Sequence, residues 1–422
     1  MTGRRRRFRE RALTVLTVCG LLAGAALTGA APAGAAPVGA APAGSVEAET
    51  KRTTALAPGL EYQLLDVLGV KGPVRAHVLS VDLTDPRVHL GLLYPGAVAA
   101  RATVSEFATA EGATAGVNGD FFNITEAQHP GVEATGASVG PAIAGGRALK
   151  AAVPNGQRFG PALPPGTTTE DVIGVGRDRR ARVERLSLDG SVTTPEAELP
   201  LGGLNQYALP VGSVGAFTDD WGSASRVRAT CGTDTERAAP CSTDTYEVTV
   251  RHGRVVSTAD APGSGQILRG TTVLVGREAG AQELRKFHIG EPVRITHRLR
   301  NTTSPIPLQL AVGGYPVLHD GQPLPGLDTR TAAVRTAAGI ADDGRRVLLL
   351  ALDGSPEYRT GLTVAEIAQV MLGLGAEHAL NLDGGGSTTL VARTPDGVTP
   401  LNHPSTGSER PVPNGIGVFT GP

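Results

Sequence analysis

The sequence predicts an α+β fold: a single large β-rich domain with mixed sheets and few helices, in which one strand-helix-strand unit carries a glycine-rich loop. Three observations lead there. Glycine contributes 57 residues and proline 31, while aromatic residues make up only 4%, a composition of tight turns rather than of a helical bundle. Short apolar or alternating runs bounded by turn residues recur along the chain, as strands do. One segment near the C-terminus passes from a strand-like run to a helical period and back. With 40% hydrophobic residues among 422 the chain can build a core. Its formal charge of −1 offers no basic excess for nucleic acid and no acidic excess for disorder.

Residues 1–35 read as a secretory signal peptide. Arg4 to Arg11 is strongly basic, Ala12 to Leu27 is apolar but diluted by Gly and Thr, and Ala33-Gly34-Ala35 offers a small-residue cleavage site. No membrane span is expected once it is removed, and the protein is expected to be secreted and extracellular. Residues 36–57 are expected to form a disordered Ala/Pro/Gly leader, leaving 58–422 as the folded domain. Two cysteines then remain, Cys231 and Cys241. Export exposes them to an oxidising compartment, and a disulfide closing a short loop is the favoured reading.

Within the domain, Val74 to Asp82 and Val88 to Leu93 alternate around Thr84-Asp85-Pro86-Arg87 and read as a β-hairpin. Thr103 to Glu111 is a short helix. Gly116-Val-Asn-Gly-Asp-Phe-Phe122 follows a small apolar strand; Asn118, Gly119 and Asp120 could line a sugar pocket, with Phe121 or Phe122 facing a ring. Residues 171–310 are a β-rich middle segment, an elaboration rather than a separate unit, in which His252 and His297 read as solvated or satisfied rather than as ligands. Ala311-Val-Gly-Gly-Tyr-Pro is an apolar run broken by glycines. Arg335 and Thr336 enter the next strand, and near the end Glu409, Arg410 and Asn414 precede a terminal strand.

The strand-helix-strand unit starts with Arg346 to Leu352, an apolar strand ending at Asp353-Gly354. Thr363 and Glu366 form a capping box, and Val364, Ile367, Ala368, Met371 and Leu374 fall on one helical face. Ala379 to Leu382 is the next strand, so the expected geometry is a parallel pair joined by a right-handed crossover. Asp383-Gly384-Gly385-Gly386-Ser387-Thr388 follows it. Three glycines between apolar runs bury no side chains, so something needs bare backbone there. A row of unshielded N–H groups beside a carboxylate and two hydroxyls suits an anionic oxygen. Arg335 would be a natural fork for a phosphate.

Taken together, Gly116-Val-Asn-Gly-Asp-Phe-Phe122, Ala311-Val-Gly-Gly-Tyr-Pro, Arg335-Thr-Ala-Ala-Gly-Ile, Leu352-Asp-Gly, Gly361-Leu-Thr-Val-Ala-Glu-Ile-Ala368, Asn381-Leu-Asp-Gly-Gly-Gly-Ser-Thr-Thr389 and Glu409-Arg-Pro-Val-Pro-Asn414 resemble the phosphodiester glycosidase family, in that order. The likeness runs from about Leu60 to the end. It departs at Ser355, where the family commonly has Arg after Asp-Gly. The resemblance implies a hydrolase acting on a sugar-1-phosphodiester such as N-acetylglucosamine-1-phosphodiester, with bacterial relatives often tied to exopolysaccharide. The partner implied is a carbohydrate or glycoconjugate; oligomeric state is not readable.

A phosphate monoester is a weak base and leaves more readily than an alkoxide, so anion stabilisation can replace the acid of ordinary glycoside hydrolysis. The expectation is that Gly384, Gly385, Gly386, Ser387 and Arg335 hold the phosphate, with Asn118, Gly119, Thr336, Thr388, Arg410 and Asn414 around the substrate. Asp383, with Asp120 and Glu409 as rivals, would activate water or attack the anomeric carbon. No cofactor is implied with certainty, but Asp120, Asp353 and Asp383 are candidate ligands for a divalent cation. Two other readings stand beside this one: a metal-dependent phosphodiesterase that cleaves P–O, and a non-catalytic glycan-binding or polysaccharide-assembly protein on the same scaffold.

Overall fold

The computed structural model describes residues 46 and 48–421, and the expected signal peptide lies outside them. The described chain is a β-rich α+β fold with three α-helices, Val104–Glu111, Ala279–Leu284 and Val364–Gly373. The described residues form one compact unit.

Two sheets position the site. An eight-stranded sheet runs in the order Ala48–Ala57, Leu60–Gly69, Gly72–Asp82, Arg346–Leu352, Thr336–Ala341, His378–Leu382, Tyr315–His319, Gln322–Pro323. A five-stranded sheet runs Gly397–Pro400, Leu390–Thr394, Ala115–Asn118, Gly415–Thr420, Val88–Leu93. The β-rich middle forms a third sheet, with Leu308–Gly313 continuing it; its Glu198–Leu204 and Val214–Phe217 strands pair in parallel, while the other named pairs are antiparallel. Phe217, Trp221, Val273 and Val275 of this segment share one apolar cluster with Leu349, Leu380 and Ile416. The middle is thus packed into the common core.

Three expectations change. Ala48–Ala57 is a strand paired antiparallel with Leu60–Gly69, so the leader does not run to residue 57: its backbone groups are taken up by the ladder with the next strand, a partner that composition alone did not reveal. Val74 to Asp82 and Val88 to Leu93 are not a hairpin. The first pairs with Arg346–Leu352 and the second with Gly415–Thr420, in different sheets. The Arg346–Leu352 and His378–Leu382 strands are not adjacent either, because Thr336–Ala341 lies between them and pairs antiparallel with both. Small residues at Ala337, Ala338 and Gly339 let it slide between two apolar neighbours.

The Val364–Gly373 helix forms as read. Thr363 and Glu366 make the reciprocal capping box, and Gly375 takes a left-handed φ of 88° just beyond the helix. Its buried Ile367, Ala368 and Met371 pack with Leu348, Leu350, Ala337 and Ala379 of the eight-stranded sheet. Each such large apolar side chain withdrawn from water contributes on the order of 1.5–3 kcal/mol. That packing fixes the strand that ends at Asp383.

Candidate active site

The site lies where the two sheets meet. The Ala115–Asn118 strand ends at Gly119-Asp120 and the His378–Leu382 strand ends at Asp383, and the Asp383 N–H donates to the Gly119 carbonyl at 2.9 Å. Asn118, wholly buried, welds the junction: its amide donates to the Asp383 carbonyl at 2.7 Å, and its oxygen accepts from Thr336 Oγ1 at 2.8 Å and Thr389 N–H at 3.0 Å. Thr336 Oγ1 also lies 3.2 Å from Thr388 Oγ1. Asn414 accepts the Asp120 N–H at 2.9 Å and, through its carbonyl, the Gly119 N–H at 2.9 Å. Asn118, Thr336, Thr388 and Asn414 are therefore scaffold, with their polar atoms spent on the protein.

Two carboxylates stand at this junction in different surroundings. Asp120 is buried and accepts from the Phe121 N–H at 2.7 Å and the Gly140 N–H at 2.6 Å, with Ser138 adding a further hydrogen bond. Burial nevertheless lifts its pKa to about 6, with the Lys150 charge opposing. Asp383 keeps a partly solvent-exposed edge. Its pKa is pushed up to about 7 by burial of the carboxyl, against the Ser387 hydroxyl, the Arg410 charge and the Gly384 N–H, while the nearby Asp120 adds to the rise. Such a group is half-ionised near neutrality, where proton transfer is most useful.

Each of the three glycines answers a separate need. A Cβ on Gly384 would stand 2.7 Å from the Val334 carbonyl; Gly385 has a φ of +61°; a Cβ on Gly386 would strike the Arg410 guanidinium. The expected open row of N–H groups is largely committed. Gly384 donates to Asp383 at 3.0 Å, Gly385 to the Val334 carbonyl at 2.7 Å, and Ser387 and Thr388 to Gly384 and Gly385 at 3.2 Å each. The bare backbone admits an arginine and a neighbouring strand.

The guanidinium at the carboxylate is that of Arg410, which donates to Ser387 Oγ at 3.3 Å and lowers the Asp383 pKa through its charge. Arg335 adjoins Gly384 through its backbone, but its side chain is buried and donates to the carbonyls of Leu362 at 2.9 Å and Thr331 at 2.7 Å. The guanidinium beside the carboxylate is therefore that of Arg410, while the Arg335 side chain is committed to carbonyls. Glu409 turns away and accepts the Ser105 N–H at 3.1 Å, capping the Val104–Glu111 helix. Phe121 is buried in a stack on Tyr315, with centroids 4.4 Å apart, and Phe122 is buried beneath Arg101, so neither presents a face to a sugar.

Asp353 is occupied as well. It accepts from His77 Nε2 at 3.1 Å, the Ser355 N–H at 2.8 Å and the His403 N–H at 3.1 Å. Burial works against its charge, but these donors hold its pKa well below the usual carboxylate range. Ser355, at the departure from the family pattern, holds the Asp353 carboxylate through its hydroxyl and its backbone N–H. Among the described residues the side-chain groupings with metal-ligand spacing are His129 with Cys231 and Cys241, and His319 with Asp320 and His378. Asp120, Asp353 and Asp383 are not brought together as such a group. The two cysteines form the expected disulfide.

Sequence reading missed the residues behind Asp120. A Cβ on Gly313 would lie 2.5 Å from Asp120 Oδ2, so the first glycine of Ala311-Val-Gly-Gly leaves room for the carboxylate, while the second faces Leu380 and Leu382. Lys150, buried, donates to the Ala151 carbonyl at 2.7 Å and to the Gly140 carbonyl, whose own N–H holds Asp120. Burial pulls the Lys150 pKa down to about 7, against the pull of Asp120. The glycine pair was a readable signal for the first; a lone lysine at the end of a short strand gave none.

A carboxyl lifted to neutrality and held beside an arginine is equipment for hydrolysis. Residues 244–419 match the family model described as phosphodiester glycosidase, which bears out the family resemblance read from the motifs. The Asp120 motif lies ahead of the matched residues and joins the site through the fold. No curated protein matches the chain. Among solved structures, a hypothetical protein from Synechocystis is similar at 20% identity and a TM-score of 0.67, over 88% of this chain and 64% of that one. The chain thus spans under two thirds of that structure's length. A protein from Burkholderia pseudomallei described as exported is similar at 19% identity and a TM-score of 0.67, over 90% of this chain and 97% of that one. Both likenesses concern the fold. The zebrafish N-acetylglucosamine-1-phosphodiester alpha-N-acetylglucosaminidase catalytic domain aligns over 89% of each chain at 14% identity with a TM-score of 0.42.

Proposed function

We propose that this chain is a secreted hydrolase that cleaves the glycosidic bond of a sugar-1-phosphodiester in a glycan or glycoconjugate, using residues 48–421 as one catalytic domain. The observation that carries the reading is the pairing of Asp383, at a pKa of about 7, with Arg410 across Ser387. In this reading Asp383 takes a proton from water, which attacks the anomeric carbon. The bond from that carbon to the bridging oxygen breaks, and its electron pair leaves with the phosphate monoester. Arg410 balances the phosphate charge; a donor that strengthens in the transition state is worth on the order of 2.7–4 kcal/mol. Asp120 does not reach the substrate. It holds the Phe121 and Gly140 N–H groups and adds to the rise that burial gives the Asp383 pKa.

Secretion is supported by the basic and apolar N-terminal segment and by the Cys231–Cys241 disulfide, which suits an oxidising compartment. No helix among the described residues is long and apolar enough to cross a membrane.

Hydrolysis in heavy-oxygen water tests the reading. With a sugar-1-phosphodiester substrate the label is expected in the sugar. Label in the phosphate would assign P–O cleavage instead, and glycan binding without product after long incubation would make the chain a binding protein.

A further inference from the structure

A second cluster lies at the other end of the strand that delivers Asp383. The Tyr315–His319 strand turns at Asp320 and Gly321, both at left-handed φ (47° and 69°), and its neighbour His378–Leu382 begins beside that turn. His319 Nδ1 and His378 Nδ1 are 3.2 Å apart, His319 Nε2 is 3.4 Å from Asp320 Oδ2, and His378 Nε2 is 3.5 Å from Asp320 Oδ1. We propose that His319, His378 and Asp320 form a surface site for a borderline divalent cation of the Zn²⁺ class.

Three features support the site. One donor atom from each of the three side chains lies within 4.8 Å of the other two, a spread that modest side-chain rotation closes to the roughly 3.3–3.4 Å between ligands of a tetrahedral centre with bonds of about 2.0–2.1 Å. The donors suit it as well: two imidazoles and one carboxylate favour Zn²⁺, Ni²⁺ or Cu²⁺ over Mg²⁺ and Ca²⁺, which prefer oxygen shells. The frame is held by backbone, because the Gly321 N–H donates to the Glu377 carbonyl at 2.8 Å and the Glu377 N–H to the Ile340 carbonyl at 2.7 Å. His319 and Asp320 are well exposed, leaving coordination positions open to solvent. The other grouping with ligand spacing, around His129, has both its cysteines locked in the disulfide and cannot supply thiolates.

An ion here would staple the turn to the strand without touching the hydrolytic site. The strand His378–Leu382 separates it from Asp383 by about 16 Å, at about 3.3 Å per residue. The inference is independent of the proposed function. Titration of the full mature protein with ZnCl₂, followed by calorimetry and thermal unfolding, is expected to show one site and a rise in Tm of about 3 °C at hundredfold excess over Kd. MgCl₂ is expected to do neither. The His319→Ala/His378→Ala double variant is expected to keep its own Tm and lose the Zn²⁺ response. Zinc binding of equal stoichiometry in that variant, or no binding by the parent, overturns the site. Sugar release is expected to be the same with and without Zn²⁺, so its loss on other grounds leaves this result untouched.

Discussion

The Asp383 N–H and the Gly119 carbonyl are joined by a 2.9 Å hydrogen bond across two sheets. This single contact brings the residue after one strand against the residue before Asp120, and it places two carboxyls in one low-dielectric corner. Burial lifts both well above an ordinary aspartate, and the Asp120 charge adds to the rise at Asp383. They differ in solvent access: Asp383 keeps a partly exposed edge, whereas Asp120 is buried.

Replacing each with asparagine should separate their roles. Asp383→Asn is expected to cut sugar release by about 10²–10⁴-fold with circular dichroism unchanged. Asp120→Asn puts an amide against the N–H groups of Phe121 and Gly140, which need an acceptor. Mispairing a buried group costs about 1–3 kcal/mol, so this variant is expected to lose Tm as well as turnover. Near-normal turnover by Asp383→Asn would reject the assignment of the base.

The pH profile follows from the same shift. As a base Asp383 must be ionised, so kcat/KM is expected to rise as pH increases through about 7. Stability moves the other way. With a folded pKa of about 7 against an unfolded value near 3.9, the native state retains a proton between those pH values that the unfolded chain has released. Stability contributed by this group is therefore lost as pH rises from about 4 to about 7. Asp383→Asn removes that loss, and its Tm is expected to exceed that of the parent at pH 8 and converge with it near pH 4. Parallel Tm curves for the two proteins would contradict the raised pKa.

Arg410 and Arg335 make a matched comparison. Arg410→Gln removes a charge that holds the Asp383 pKa down, so the rising limb of kcat/KM is expected to move to higher pH and KM for the phosphodiester to increase. Arg335→Gln instead strands the carbonyls of Leu362 and Thr331. It is expected to lower Tm by an amount fitting about 1–3 kcal/mol while leaving the position of the limb alone. A shifted limb for Arg335→Gln would restore the phosphate role first expected of it.

How much of this was legible depended on the range of the interaction. Thr363 and Glu366 announce their helix because both halves of the cap lie within one turn. Asp383 was readable because a carboxylate ahead of three glycines is rare in packing alone. The choice between Arg335 and Arg410 was not readable, since it turns on which guanidinium is already spent on carbonyls, and those carbonyls belong to residues distant in sequence or in loops of no marked pattern. The insertion of Thr336–Ala341 between the two strands of the crossover unit was hidden for the same reason: strand order is a tertiary choice that local periodicity does not encode. Lys150 left no trace because its role rests wholly on the carbonyls that surround it.

The glycines offer the sharpest test of how the site is kept open. Gly386 is not held by backbone conformation; it is required by sterics alone, since an added methyl group would occupy the space of the Arg410 guanidinium. Gly386→Ala is thus expected to reproduce Arg410→Gln, with the limb displaced to higher pH and KM increased, although no charged residue has been changed. Gly313→Ala would crowd Asp120 Oδ2 from 2.5 Å and push it from the Gly140 N–H, giving the combined loss of Tm and turnover expected for Asp120→Asn. Gly385→Ala acts differently again: nothing lies within reach of its Cβ, but its φ of +61° strains any other residue. A penalty of about 1–2 kcal/mol is expected there, seen in Tm, with the pH limb in place. If Gly385→Ala and Gly386→Ala showed one common phenotype, the loop would be acting through general rigidity, and the separate purposes assigned to those two glycines would have to be withdrawn.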